Sequence, residues 1–171
     1  MAQIGRSHTP EPRSLLMRGV DWLSRREHSR LELQRKLELQ RKLVRTLREG
    51  ETIEDVEEAL NVLESKGYLS NERYAENRVR VRSCRYGNRR LAQELASNGV
   101  CREDIELALS QAGSEYERAH HVWQRKFGVS PLDQKDKNRQ IRFLAARGFS
   151  FDVILKVLSS AGTNVDDDNV Y

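Results

Sequence analysis

Gly50, Gly99 and Gly148 stand 49 residues apart in succession, and the residues that follow them match position by position. Six places after each glycine come Val56, Ile105 and Ile154; nine places after, Ala59, Ala108 and Val157; ten places after, Leu60, Leu109 and Leu158; thirteen places after, Leu63, Ala112 and Ala161. Those offsets lie on one face of an α-helix, so each glycine precedes an amphipathic helix with the same buried stripe. GETIEDVEEAL and GVCREDIELAL share six of eleven residues, while GFSFDVILKVL keeps the apolar face and loses the acidic one. Upstream, Gly19, Ala75 and Ala119 each come four residues before Leu23, Val79 or Trp123, a small residue one turn ahead of a large one. A repeat of this length makes a unit too small to bury its apolar faces alone, so neighbouring units supply much of the stability.

The units read as helical throughout. Period-two alternation is scarce, Asn-Gly and Asp-Gly hairpin turns are missing, and there are three prolines, Pro10, Pro12 and Pro131. Ser29 with Glu32, Thr52 with Asp55 and Ser114 with Glu117 have the spacing of an N-cap hydroxyl and a carboxylate that reaches back to it. Gly67, Gly87, Gly99, Gly113, Gly128 and Gly148 read as helix stops. About nine helices fit between these marks. The expected fold is all-α: three tandem three-helix repeats, 13–69, 70–113 and 114–161, in an elongated, curved array. A disordered segment, 1–12, precedes them, and a disordered acidic tail, 162–171 (GTNVDDDNVY), follows. Aromatic residues at 6% and charged residues at 33% suit thin helical modules better than one thick globule.

The motifs REHSRLELQRKL, LESKGYLSNERYAENRV and YGNRRLAQELASNGV, in that order and spacing, resemble the RecX family of bacterial regulators over residues 14 to 160. The resemblance implies an all-helical protein of three three-helix repeats that binds the RecA filament along its groove. It also implies suppression of RecA's ATPase, strand-exchange and co-protease activities, and so modulation of recombination and the SOS response. Asn88 stands where a proline is common in the family.

One further departure is the hexapeptide ELQRKL, present twice in succession at Glu32–Leu37 and Glu38–Leu43. Six residues advance a helix by about 240° beyond one full turn, so the second copy points away from the stripe made by Leu33 and Leu37. A coiled-coil seam needs a period near 3.5. The repeat reads as a tolerated duplication that lengthens the second helix by about 9 Å or bulges at its end.

Catalytic patterns are missing: the chain contains no GxxxxGK[ST], HExxH or GxSxG. His120 and His121 point in different directions on a helix. Cys84 and Cys101 are far apart, without a CxxC pair, and imply neither a disulfide framework nor a zinc site. The reading is a non-enzyme without cofactor or metal. No apolar leader or membrane-length apolar run occurs, so a cytoplasmic monomer with no membrane partner is expected.

Charge carries the remaining information. The net charge is +4, and Asn77 to Gln93 holds Arg78, Arg80, Arg82, Arg85, Arg89 and Arg90 without one acid, whereas Glu51 to Glu64 is acidic. Arg78, Arg82 and Arg85 have the i, i+4, i+7 spacing of one helical face. Arg25, Arg26 and Arg35 in the first repeat, and Lys126 and Arg142 in the third, continue the basic character. Recurring basic surface suits a long acidic partner, and arginine suits bidentate capture of carboxylate or phosphate. Two partners satisfy that chemistry: a RecA filament, or single- or double-stranded DNA bound directly by helix-turn-helix-like units.

Overall fold

The computed structural model describes residues 14–44 and 52–163. Gly50, the N-terminal segment 1–12, residues 164–171 of the acidic tail and the side chain of Leu43 lie outside the described residues. The described residues hold nine α-helices and no strand. The chain divides into two compact units, with the division after Leu69.

In the first unit, α1 (Leu15–Leu23) and α2 (Arg30–Val44) both pack on α3 (Ile53–Ser65). The Ser29 hydroxyl accepts the Glu32 N–H at 3.0 Å. Thr52 and Asp55 form the reciprocal capping box that their spacing predicts. Leu33, Leu37, Val56, Leu60 and Leu63 are fully buried in one core, with Trp22 packed at its edge. Gly19 is the small residue that lets α3 approach, because a Cβ there would stand 2.6 Å from Leu63 Cδ1. The duplicated hexapeptide lies within the continuous α2, so it lengthens the helix and makes no bulge among the described residues. Leu39, the counterpart of Leu33, is 58% exposed.

The second unit contains α4 (Asn71–Arg82), α5 (Asn88–Ser97) and α6 (Arg102–Ser110), then α7 (Glu115–Lys126), α8 (Gln134–Ala145) and α9 (Phe151–Thr163). The packing order of the first unit recurs twice: α4 and α5 on α6, then α7 and α8 on α9. Ala75 and Ala119 are fully buried where Gly19 lies in the first unit. Val79, Ile105 and Ala108 share one core with Tyr74 and Leu95; Trp123, Ile154 and Val157 share another with Leu144 and Phe149. The described positions picked out by the 49-residue period are therefore buried in, or packed against, the core of their triplet, and the side chain of Ala161 lies outside the described residues. Buried in the third core, the Trp123 indole N–H donates to Gln140 Oε1 at 2.6 Å, and the Gln140 amide donates to Asp136 Oδ2 at 3.1 Å. A buried polar pair is tolerable when its donors find acceptors in this way.

Five of the glycines expected to stop helices, Gly67, Gly99, Gly113, Gly128 and Gly148, have positive φ. Gly87 does not: with φ −79° it is the N-cap of α5, a start in place of the expected stop. Its glycine identity has a steric cause, the close approach of the Gly148–Phe149 backbone. The helix α9 continues through Gly162 and Thr163, where the tail was expected to begin. No helix of the described residues is long and apolar enough to cross a membrane.

Candidate partner-binding surface

The arginines of the α4–α5 region do not form the single exposed face that their spacing predicts. α4 ends at Arg82, so Arg85 lies past the helix, in the turn before α5. Arg78 and Arg82 turn inward onto Glu94 of α5, at 2.5 Å and 3.2 Å. Glu94 is only 18% exposed, and it neutralises one arginine charge while bracing α4 against α5. No local pattern announces this pair, because Glu94 is sixteen residues from Arg78 and just past the acid-free run.

Tyr86 organises the next layer. The guanidiniums of Arg82 and Arg90 lie over its ring at 4.7 and 4.5 Å, and Arg90 also donates to the Ala146 carbonyl at 3.2 Å. Arg118 of α7 reaches the carbonyls of Ser83 and Tyr86 at 3.3 and 3.1 Å and Asn88 Oδ1 at 2.6 Å. Burial lowers the basicity of its guanidinium, and the nearby Glu115 carboxylate opposes that shift. These arginines hold the surface together. Arg85 and Arg89, by contrast, are exposed, and among the described residues their side chains make no hydrogen bond or ion pair. Arg80, on α4, is likewise exposed and unpaired among the described residues. The outward-facing cations of this region are therefore Arg80, Arg85 and Arg89, carried on a frame of Arg78, Arg82, Arg90 and Arg118.

The other basic candidates fall elsewhere. In the first unit, Arg25 and Arg35 are exposed, whereas Arg26 pairs with Glu32. The acidic face of α3 is not solvated as a block, because Arg30 joins Glu57 at 2.7 Å and Glu64 at 2.6 Å. Lys126 ends α7 and Arg142 lies in the last turn of α8, both exposed. Neither has a hydrogen bond, ion pair or ring contact to the Tyr86 group. Sequence reasoning missed Glu94, Glu115 and the structural part of Arg118. Their partners lie twelve to thirty-five residues away and leave no periodic signal. Cys84 and Cys101 are exposed and unpaired, and no group of three His, Cys, Asp or Glu side chains among the described residues is placed to hold a metal ion.

Comparison with known proteins agrees with this architecture. The profile of the second three-helix domain of RecX matches residues 70–109, and that of the third three-helix domain matches residues 114–158. A regulatory protein RecX of Ralstonia nicotianae is 40% identical over 158 residues, spanning 92% of this chain and 94% of that protein. One from Pseudomonas putida (strain GB-1) is 42% identical over 159 residues, spanning 91% and 95%. The crystal structure of RecX from Lactobacillus salivarius is similar with a TM-score of 0.68 at 20% identity, over 87% of this chain and 95% of that one, a likeness in fold. With matching domains, matching length and identity near two residues in five, the chain belongs to the RecX family of regulatory proteins.

Proposed function

We propose that this protein is a non-catalytic regulator that binds the RecA nucleoprotein filament and inhibits its ATPase, strand-exchange and co-protease activities. In the cell it would act as a cytoplasmic monomer, restraining recombination and the SOS response. The observation that carries the reading, beside family membership, is the division of labour among the arginines. Arg78, Arg82, Arg90 and Arg118 are consumed by internal contacts, and Arg85 and Arg89 are left facing solvent between them. Cations held on a braced segment lose little conformational freedom on binding, so more of each contact appears as affinity. A filament repeats its acidic groups along its length, which suits a chain of helical units with basic residues in each triplet: Arg25 and Arg35, then Arg85 and Arg89, then Lys126 and Arg142. Binding across the groove opposes the subunit movements that a filament makes as it hydrolyses ATP.

The second reading, direct binding to DNA, draws on the same exposed arginines, because phosphate and carboxylate attract the same guanidinium. DNA-dependent ATP hydrolysis by RecA, measured with and without stoichiometric protein, tests the first reading. Inhibition is expected at substoichiometric to equal amounts. Unchanged hydrolysis, together with binding to bare DNA whose log affinity falls steeply with log salt, would replace it by the second.

A further inference from the structure

The segment that carries Arg85 and Arg89 is held from the far side by α7 and the α8–α9 turn. Glu115 is the first residue of α7. Its Oε1 accepts the backbone N–H of Asn88, the first residue of α5, at 2.7 Å, and its Oε2 accepts the hydroxyl of Ser150, just before α9, at 3.3 Å. One carboxylate thus serves the N-terminal ends of three helices, each of which carries unsatisfied N–H groups and a partial positive charge. α5 has no side-chain cap of its own. Its first donors go instead to the third triplet: Asn88 N–H to Glu115, and Arg89 N–H to the Gly148 carbonyl at 3.1 Å. Just before it, the Gly87 N–H donates to the Arg147 carbonyl at 2.9 Å. The two backbones touch so closely that a Cβ at Gly87 would stand 2.3 Å from Phe149 N, and one at Gly148 would stand 2.5 Å from Arg90 N.

From this geometry we propose that Glu115 is a positioning residue for partner binding: by capping α5 it fixes the segment Ser83–Arg90 and so aims Arg85 and Arg89. The proposal rests on the reading of those two arginines as partner contacts. Arg85 lies three residues before Asn88 and Arg89 one residue after it, so both are carried by the strip of backbone that Glu115 and Arg118 hold. A charge-assisted bond is among the stronger hydrogen bonds, and this one has no substitute within α5.

Two measurements on the full-length chain test it. The first is amide hydrogen exchange at Gly87, Asn88 and Arg89; the second is the concentration that half-inhibits RecA ATPase, taken at a temperature where circular dichroism shows each variant folded. Glu115→Ala is expected to speed exchange at those three amides and to weaken inhibition on the order of tenfold, since the arginines then pay the ordering cost on binding. Glu115→Gln keeps a carbonyl acceptor for the Asn88 N–H and is expected to recover most of both. Should Glu115→Ala fail to fold, Asn88→Pro removes the same N–H at a helix position that accepts proline, after a Gly87 already extended at φ −79°, ψ 169°. Faster exchange at Gly87 and Arg89, the two amides that remain to be followed, and the same weakening of inhibition are expected of it. Unchanged exchange in the folded variant would overturn the proposal, as would faster exchange with undiminished inhibition. If the parent chain does not inhibit RecA, the functional reading itself falls, and the exchange data alone still decide whether Glu115 holds the segment.

Discussion

The two copies of ELQRKL provide an internal control, because Leu33 and Leu39 have the same neighbours in sequence and opposite places in the structure. Leu33 is fully buried against α3, whereas Leu39 is 58% exposed on the same helix. Truncating a fully buried leucine removes its transfer free energy and leaves a cavity, so Leu33→Ala should cost about 3 kcal/mol, within the usual range of 2–5. Leu39 keeps less than half of its surface from water, and complete burial of a leucine is worth roughly 1.5–3 kcal/mol. Leu39→Ala should therefore cost less than about 1 kcal/mol, part of it returned by the better helix propensity of alanine. The chain offers a matched reporter. Trp22 packs at the edge of the first core, and Trp123 lies in the third, so a Trp123→Phe background leaves fluorescence that follows the first unit. With a urea slope of about 1–3 kcal/mol/M, the difference between the two variants should separate their midpoints by roughly 1 M. Deleting Glu38–Leu43 in the same background should change stability by less than about 2 kcal/mol, because the buried leucines of the first copy remain. Equal losses for Leu33→Ala and Leu39→Ala, or a larger loss on deletion, would refute the view of the second copy as a tolerated extension.

Gly87→Ala should destabilise the second unit by about 3 kcal/mol despite an ordinary φ, since the added methyl meets backbone at Phe149 and overpacking of this kind typically costs 1–3 kcal/mol or more; chemical denaturation followed by Trp123 reads it. Gln140→Leu should cost roughly 1–3 kcal/mol in the same assay by leaving the buried Trp123 N–H without an acceptor. Acid should weaken the first unit in two steps. Burial lowers the pKa of His28 below its ordinary 6.5, so the neutral form is favoured in the fold; its contribution is complete above 6.5 and is lost as pH falls through the folded value. For Glu32, burial alone would raise the pKa, but the Arg26 hydrogen bond and the neighbouring positive charges lower it below 4.5, so its contribution is lost only in more acid solution. His28→Gln should remove the pH dependence of the Trp22 midpoint that sets in as pH falls below 6.5 and leave the lower step.

The threefold helical pattern was legible because burial repeats with the chain. Val56, Ile105 and Ile154 each face a core formed mostly by their own triplet, and the Ser and Thr caps act within three residues. Gly87 was misread for the complementary reason. Its lack of a side chain answers to Phe149, sixty-two residues away, and a glycine required for close approach looks in sequence like one required for a turn. The arginines show the same limit. The helical spacing of Arg78 and Arg82 correctly placed them together, but their destination, Glu94, is set by the packing of α5 on α4. Arg85 kept its expected exposure and lost its expected helix, since α4 ends three residues earlier. The segregation of acid from base along the chain also dissolves in three dimensions, where Arg30 bridges Glu57 and Glu64.

The double variant Arg85→Glu with Arg89→Glu, titrated into a DNA-dependent RecA ATPase assay beside the parent, shows whether these two arginines hold the partner. Both side chains are exposed and unpaired among the described residues, so helical circular dichroism and the melting midpoint should hold. If each arginine makes a charge-assisted contact of roughly 1–3 kcal/mol, the half-inhibiting concentration should rise at least about thirtyfold. A double variant that remains folded and inhibits RecA as well as the parent would rule out Arg85 and Arg89 as partner contacts and move the binding surface to the first or third triplet.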